Sequence, residues 1–366
     1  MALELSTSLT PESEEEVNVQ IDKNYFGNWT EVEIELSIDS FSTASFSAPF
    51  ERGRAEFREL FRPFKYRLFE VDTHLETLVL GYGVNVLPRS SSAESSVKFA
   101  GYSKPGPFCD CTIPVFDSKS DKAPTKREFK KLGLRAIAEA LCAPFGLLVQ
   151  FDAPEGKPFD KVSIAPDKKI IEFLQELAKQ RNLVISNTPD GRLLFWQSVE
   201  PGHPVARFED GKSPCGDVEA EFSPQDYFSQ ITGFASRKRG KAPVKWTEQN
   251  PWLKGPLRSL TFKLEDTERG DAREATQAKM GRMFANIVTY TIPNIPTWRD
   301  PSGKLWKPNT TVTLLAPDAM VYAETEMLIR KVKLKQNKDA TTADLVVCLP
   351  GAFNGKVPAR LPWDEP

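Results

Sequence analysis

Histidine is scarce in this chain, and its scarcity limits the chemistry that the side chains can perform. Only two histidines, His74 and His203, occur among 366 residues. A Ser-His-Asp triad or a histidine-ligated metal would have to use one of them. His203 stands in a Gly-His-Pro linker and His74 follows an Asp-Thr pair typical of a turn. We therefore expect both to be exposed loop residues without a catalytic role.

Cysteine and glycine patterns add no site. Cys109-Asp-Cys111 has no second Cys or His pair at zinc spacing, so we expect a structural role, with the two side chains on opposite faces of a strand. Gly81-Tyr-Gly83 is followed by strand-like residues, whereas a phosphate loop leads into a helix. The five cysteines are few and odd in number, which predicts free thiols and synthesis in a reducing cytoplasm. No catalytic, cofactor-binding or metal-binding residue is predicted.

Charged residues leave two alternatives open. The 50 Asp and Glu residues could include a glycosidase-type carboxylate pair, although none stands out by its context. The basic run at residues 237–241 could contact a nucleic acid or an acidic partner. We favour a solvated loop, because Glu219, Glu221 and Glu248 dilute its charge.

Composition indicates a multidomain globular chain. A length of 366 residues exceeds what one core usually holds, roughly 250–300 residues, so two to four domains are expected. A formal net charge of -2 argues against a dedicated nucleic-acid binder, which normally has a basic excess. The chain has neither a signal-peptide pattern nor an apolar stretch of roughly 20 residues, so stable membrane insertion is not expected.

Local patterns predict the order of elements. Alternation of apolar and acidic residues over 32–38 predicts a half-buried strand, and residues 64–69 show the same period. A capping box at 125–128 and an apolar stripe after it predict a helix. Further helices are predicted after Asp167 and over 269–285, and a Pro-Asp-Gly turn at 189–191 predicts a hairpin.

These elements predict a mainly β fold with α+β insertions. Two antiparallel β-barrel domains flank a small α+β domain. We predict a flexible acidic arm over 1–16, a first β-barrel over 17–110, an α+β domain over 111–204, a second β-barrel over 205–240 and 285–350, an inserted irregular and helical segment over 241–284, and a C-terminal tail over 351–366.

The strongest turn signal lies at residues 298–308. Asp-Pro-Ser-Gly at 300–303 favours a tight turn, because Pro presets one dihedral angle and Gly supplies the positive one. Trp298 and Trp306 flank the turn and should meet across a hairpin. We interpret this hairpin as part of the second barrel, where it fixes the strand register.

The same residues carry a resemblance to a known family. WRDPSGKLWKPN, residues 298–309, resembles the WRDPDGRLWRPG signature of baseplate hub proteins from Mu-like contractile-tailed phages. FAGYSKPGPFCDC, residues 99–111, is similar to the family's GRSKTGDLVDCS, with Tyr102 where Arg is usual. Residues 167–195 resemble the family's helix and Asp-Gly hairpin. The matches follow the family's order over most of 17–350, and resemble the late control or 43 kDa tail protein type, which is related in architecture to the VgrG hub region.

The resemblance implies a structural hub that works by shape. The two β domains would be tail-tube-like barrels, and a homotrimer would place six of them in a ring between the sixfold tail tube and the threefold central spike. The implied partners are the spike protein, the tail tube protein, and other baseplate and tape-measure proteins. DNA would pass without sequence-specific binding. The implied location is the virion tail baseplate, after synthesis in the host cytoplasm.

Two other functions stay open at this point. One is a tail-associated enzyme that cleaves cell wall or glycan, and the other is the hub of a related contractile secretion device. The first would require a carboxylate whose substitution abolishes activity. The second would require a separate spike protein.

Overall fold

The computed structural model describes residues 15–51, 53–91, 95–114, 126–235, 243–264 and 269–364. Most of the predicted arm over 1–16, the basic run at 237–241 and the start of the capping box at Thr125 therefore lie outside the described residues.

The first part of the chain is almost entirely β structure. Buried and half-buried residues alternate along most of its strands, which is the pattern of a sheet with one covered face. Its elements are β1 (Val17–Ile21), β2 (Asn24–Tyr25), β3 (Glu31–Ser37), β4 (Thr43–Pro49), α1 (Ala55–Leu60), β5 (Leu68–Thr73), β6 (Thr77–Ser90) and β7 (Ser95–Ser103). The strand expected over 64–69 is wrong for residues 64–67, because this stretch lies outside any strand and Phe64 and Tyr66 are exposed there with positive φ.

The middle part is an α+β unit with its own core. Its elements are β8 (Glu128–Leu132), α2 (Leu134–Cys142), β9 (Val149–Asp152), β10 (Phe159–Ser163), α3 (Ile170–Gln180), β11 (Val184–Asn187) and β12 (Leu193–Trp196). β8 pairs with β10, and β11, β12 and β9 form a second small sheet. The apolar faces of α2 and α3 enclose a core that includes Leu134, Ile137, Phe173 and Leu177.

The predicted start of the helix at the capping box over 125–128 is wrong, although the later part of its apolar stripe, Ala136, Ile137 and Ala140, does lie in a helix. Glu128–Leu132 is instead the strand β8, and helix α2 begins at Leu134. The strand is favoured by its pairing with β10, where Glu128 forms ion pairs with Lys130 and Lys161. A short-range helix signal is here overridden by a partner strand some 30 residues away in the sequence. The helix after Asp167 and the hairpin over 189–191 are confirmed by α3 and the β11–β12 pair.

The last part returns to β structure around one long helix. Its elements are β13 (Arg207–Glu209), β14 (Glu219–Phe222), β15 (Gln230–Ala235), β16 (Val244–Gln249), β17 (Ser259–Lys263), α4 (Arg269–Ile287), β18 (Val288–Ile295), β19 (Thr311–Ala316), β20 (Val321–Asn337) and β21 (Thr341–Cys348). β16, β15 and β17 form a separate three-stranded sheet against α4. β16 lies in a stretch that the sequence pattern left irregular. Among the described helices, none has the length and apolarity to span a bilayer.

One 13-stranded sheet joins the first and last parts of the chain. Its main path runs β14-β18-β21-β20-β3-β4-β7-β6-β5-β1-β2, with β13 and β19 attached beside β20. The junction is the antiparallel pair of β3 and β20, in register from Lys331 opposite Ser37 to Asn337 opposite Glu31. The mainly β fold class is confirmed. Within the described residues the sheet does not close on itself, so the two barrels stay a prediction.

The hydrophobic core is also shared between the two β parts. A single cluster of buried side chains includes Phe46 and Phe99 from the first part and Trp298, Val332 and Leu345 from the last. The rings of Phe46 and Phe99 stack with centroids 5.0 Å apart. Because burying each such side chain stabilises the folded state by roughly 1.5–3 kcal/mol, this cluster ties the two parts together.

Candidate functional surface

Both histidines are exposed and lie outside helices and strands. His74 lies after β5 with its Nε2 3.7 Å from the carboxylate of Glu16, and His203 is exposed between β12 and β13. Neither donates or accepts a hydrogen bond with a Ser, Thr or Cys side chain among the described residues. Nor do those residues gather three His, Cys, Asp or Glu side chains in a cluster able to hold a metal ion.

Cys109 and Cys111 are free thiols in a turn. The expectation that they occupy opposite faces of a strand is wrong, because Gly106–Cys109 is a 3-10 helix. Burial is the main cause that raises the pKa of Cys109 to about 11, with a contribution from the neighbouring carboxylate of Asp110. Such a thiol is protonated at neutral pH and is a poor nucleophile or metal ligand.

Gly81 and Gly83 serve packing between strands. Both lie inside β6, where a Cβ on Gly81 would stand 2.0 Å from the carbonyl oxygen of Tyr102. A Cβ on Gly83 would stand 1.9 Å from the ring of Phe99. The absence of side chains therefore lets β6 lie close to β7 and its aromatic core residue.

A polar face extends over the 13-stranded sheet. Cross-strand partners point to the same side of a sheet, so the register of each pair identifies this face from strand to strand. The polar side chains of this polar sheet face are Glu219 and Glu221 of β14, Thr289 and Thr291 of β18, Thr342 and Asp344 of β21, Lys331, Lys333 and Lys335 of β20, Glu31, Glu33 and Glu35 of β3, Thr43, Ser45 and Ser47 of β4, Lys98 and Tyr102 of β7, and Asn85 of β6. Val346, Ala100 and Leu87 lie among them as apolar members.

The opposite side of the same strands is apolar and buried. Val32 and Ile34 of β3 are completely covered, as are Val332 and Leu334 of β20. The period-2 alternation of both strands therefore fixes which face meets the core and which is polar. The polar sheet face crosses the junction between the two β parts without interruption.

Charge on the polar sheet face is arranged by strand. Glu35 of β3 accepts a 2.8 Å hydrogen bond from the ammonium of Lys331 and lies 3.8 Å from that of Lys333. Lys335 pairs with Asp344 of β21, whose other carboxylate oxygen accepts from the backbone N–H of Asn294 at 3.0 Å. An acidic strand thus lies beside a basic strand at the junction, and the two signs largely neutralise each other.

Part of the polar sheet face is concave. A hollow of about 320 Å³ lies over β4, β6 and β7, and Glu33, Ser45, Asn85, Lys98 and Tyr102 contribute to its lining. Burial is the largest cause that raises the pKa of Tyr102 to about 12, followed by the carboxylate of Asp110, so its hydroxyl stays protonated at neutral pH. The lining offers hydroxyl, amide and opposite charges together, with little net attraction for a polyanion.

Hydrogen bonds within the 298–308 hairpin hold its turn and bring its two tryptophans together. One carboxylate oxygen of Asp300 accepts hydrogen bonds from the backbone N–H groups of Ser302 and Lys304, at 2.8 and 3.0 Å. Gly303 has φ of +82°, as the turn signal predicts. The backbone N–H of Trp306 donates to the carbonyl of Trp298 at 2.8 Å, so the two tryptophans do meet across the hairpin.

Contacts around the hairpin reach three other parts of the chain. The buried indole N–H of Trp298 donates to the carbonyl of Thr342 at 2.8 Å, and its backbone N–H donates to Glu15 at 2.9 Å. Lys307 forms a 2.9 Å ion pair with Glu76 in the first β part. Asn309 accepts from the backbone N–H of Val199 at 2.8 Å, which ties the end of the α+β unit to the hairpin.

Comparisons with known proteins agree with this architecture. Residues 120–197 match a family model described as baseplate hub protein gp44-like, second domain, and residues 267–356 match one described as Mu phage baseplate assembly protein GpP, fourth domain. Baseplate hub protein gp44 of Escherichia phage Mu is 24% identical over 347 residues, which is 88% of this chain and 84% of the relative. The resemblance to Mu-like baseplate hub proteins is confirmed.

Solved structures share the fold of this chain. A 43 kDa tail protein of prophage MuSo2 from Shewanella oneidensis superposes with a TM-score of 0.74 at 22% identity, covering 92% of this chain and 99% of that one. A tail protein from Neisseria meningitidis gives 0.75 at 16% identity, covering 93% and 98%. A type VI secretion component of E. coli gives 0.55 at 9% identity, covering 93% and 79%.

The sequence pattern predicts only a small part of the polar sheet face. The alternation in β3 predicts its acidic outer side, whereas the matching lysines of β20 were not predicted. The alternation Lys331-Val-Lys-Leu-Lys335 is the signal that could have found them. Their pairing with β3 joins residues nearly 300 positions apart and could not be read from local pattern.

Proposed function

We propose that this protein is a structural baseplate hub of a contractile phage tail. In this proposal a homotrimer forms a pseudo-sixfold ring, connects the tail tube protein to the central spike protein, and lets DNA pass. The observation that carries the proposal is the polar sheet face, because it extends without a break across both β parts of one chain. The relatives named as baseplate hub and tail proteins support it independently.

The polar sheet face suits the wall of a channel for DNA. A wall with a basic excess would hold the phosphate backbone, and a strongly acidic wall would repel it. Here the glutamates of β3 stand beside the lysines of β20, and hydroxyl side chains of β4 follow. We assign this face to the channel and the apolar face to the wall of the ring.

The ends of the sheet suit contacts between subunits. Among the described residues β14 has β18 as its one sheet neighbour, and an apolar hollow of about 320 Å³ borders it. Phe222, Tyr227, Met320 and Trp363 line the hollow, and Phe222 is 40% exposed. Exposed strand edges beside apolar patches are typical of association sites. A cyclic trimer would cover this edge three times.

The proposed role does not include catalysis. The hub would act in the virion tail baseplate, after synthesis in the host cytoplasm, and would contact other baseplate and tape-measure proteins. The likeness to a type VI secretion component favours a second candidate, the hub of a contractile secretion device. Copurification with a phage tail tube or with a secretion tube protein separates these two.

Size-selective labelling tests the assignment of the channel. Ser45→Cys and Ser47→Cys would place thiols on the polar sheet face, and Leu148→Cys would place one at an exposed site outside it. In the assembled ring, we expect a small maleimide to label all three variants, and a maleimide on a bulky polymer to label only Leu148→Cys. Equal labelling of the three by the bulky reagent would contradict the assignment.

A further inference from the structure

A cavity outside the polar sheet face carries an unbalanced positive charge. It has a volume of about 440 Å³ and lies where α3, α4 and β20 converge. Four cationic side chains line it, which are Lys179, Lys279, Arg282 and Arg330. Two carboxylates, those of Asp39 and Asp226, lie in the same lining, so two positive charges remain in excess.

Of the four cations, only Arg330 forms an ion pair with a described residue. Arg330 donates to the carboxylate of Asp39 at 2.9 Å and to the carbonyl of Ala285 at 2.8 Å. Arg282 donates to the carbonyl of Leu183 at 2.8 Å and has no carboxylate within 4 Å among the described residues. Lys179 and Lys279 likewise form no ion pair with a described residue.

The unpaired cations repel one another. Burial is the first cause that lowers the pKa of Lys179, and the nearby charges of Arg282 and Lys279 lower it further. Burial also lowers the pKa of Arg282 to about 10, which the carboxylate of Asp39 only partly opposes. A site that gathers like charges at the expense of stability is more typical of ligand binding than of structural support.

Most of the remaining lining is apolar, with Gln175 and Asn286 as neutral polar side chains, and it selects the kind of anion. Leu183, Ile185, Phe228, Met283 and Phe353 all contribute. A nucleic acid would place many phosphates against such a surface and beside the two carboxylates. A peptide with a carboxylate between apolar side chains matches both the charge and the lining.

We propose that this cavity docks an acidic, apolar-flanked peptide segment of a partner protein. Lys179 and Lys279 would hold the carboxylates at the rim, and the apolar floor would receive the neighbouring side chains. Because α3 belongs to the α+β unit and β20 to the main sheet, an occupant would contact both. The proposal is independent of the channel and of the trimer, since all lining residues belong to one chain.

Fluorescence anisotropy on the full chain tests the proposal. The probe is a fluorescein-labelled peptide of alternating Leu or Phe and Glu or Asp, and its matched control carries Gln and Asn in place of the acids. We expect K179Q/K279Q to weaken binding of the acidic peptide by roughly tenfold or more, because charge-assisted hydrogen bonds are lost. K254Q/K338Q, which removes two exposed lysines without ion pairs elsewhere, should bind as the unaltered chain does.

Two further readouts decide the outcome. Without peptide, K179Q/K279Q should melt at a higher temperature than the unaltered chain, which also establishes that the variant is folded. The proposal is overturned if the acidic peptide fails to bind, or binds all variants equally. It is also overturned if the amide peptide binds as well as the acidic one, or if a single-stranded oligonucleotide binds more tightly through the same lysines.

Discussion

Asp300 holds the turn of the 298–308 hairpin with a single carboxylate oxygen. That oxygen accepts from the N–H groups of Ser302 and Lys304, and the residue is only 8% exposed. Asp300→Ala would remove both of these charge-assisted hydrogen bonds from the turn. We expect the free energy of unfolding to fall by about 2 kcal/mol, measured by urea denaturation.

A matched aspartate provides the control for this change. Asp339 lies in the exposed turn between β20 and β21, where only its backbone N–H is bonded, to the side chain of Asn337. Asp339→Ala should change the stability by less than about 0.5 kcal/mol. Equal losses for the two variants would mean that the hairpin turn has no special role.

A substitution at Gly303 tests whether the same turn requires a positive φ. The φ of Gly303 is +82° and no atom lies within 4 Å of where a Cβ would stand, so an added methyl group meets only backbone strain. Gly303→Ala should therefore cost about 1 kcal/mol in thermal or urea unfolding. Gly216 has equally open surroundings and no positive φ, so an unchanged stability is expected for Gly216→Ala. A neutral Gly303→Ala would contradict the turn assignment.

Residue-scale features were the most predictable from sequence. The positive φ of Gly303 and the contact of Trp298 with Trp306 follow from a few adjacent residues. The hydrogen bond from the Trp298 indole to Thr342 does not, because it depends on where a later strand lies. Local chemistry specified the turn, and the fold specified its surroundings.

At the scale of elements, the pairing of β3 with β20 joins the first and last parts of the chain in one sheet. Glu35 contacts both Lys331 and Lys333 across the junction. Glu35→Lys would replace attraction by repulsion among three like charges, so we expect a loss of about 1 kcal/mol. Hydrogen exchange should report faster exchange of the β3 and β20 amides in particular.

Two variants make that result specific. Glu31→Lys alters the same strand at an exposed position opposite Asn337, and should leave exchange in β20 unchanged. Exchanging the charges, in E35K/K331E, should restore part of the lost protection, as a double-mutant cycle would reveal. No recovery in the double variant would indicate that Glu35 acts through packing and not through charge.

Helices and strands were predicted correctly where the sequence signal is local. They were missed where pairing with a distant strand determines the structure. The helix α3 was found from its apolar stripe, whereas residues 128–132 became a strand because β10 lies beside them. The continuous sheet was missed altogether, since β3 and β20 look like strands of separate domains in the sequence. Their pairing depends on contacts between distant parts of the chain.

At the scale of the whole molecule, the sheet edge at β14 governs the proposed assembly. Phe222 is partly exposed there, with its ring 5.3 Å from that of Trp363. Phe222→Glu should place a charge in the subunit contact and shift the mass measured by light scattering from three copies toward one. Leu257→Glu alters a more exposed apolar residue elsewhere and should leave the trimer intact. If both variants stay trimeric, the contact lies at another edge.

In the proposed assembly, three copies build a ring whose channel is lined by the polar sheet face. Electron microscopy of the purified chain, assembled at high concentration or on its tail tube partner, tests this most directly. We predict class averages of a six-lobed ring with threefold symmetry, a mass near three times 41.0 kDa, and β3 and β20 facing the lumen. A monomer under all these conditions, or a ring with β3 and β20 on its outer surface, would contradict the claim.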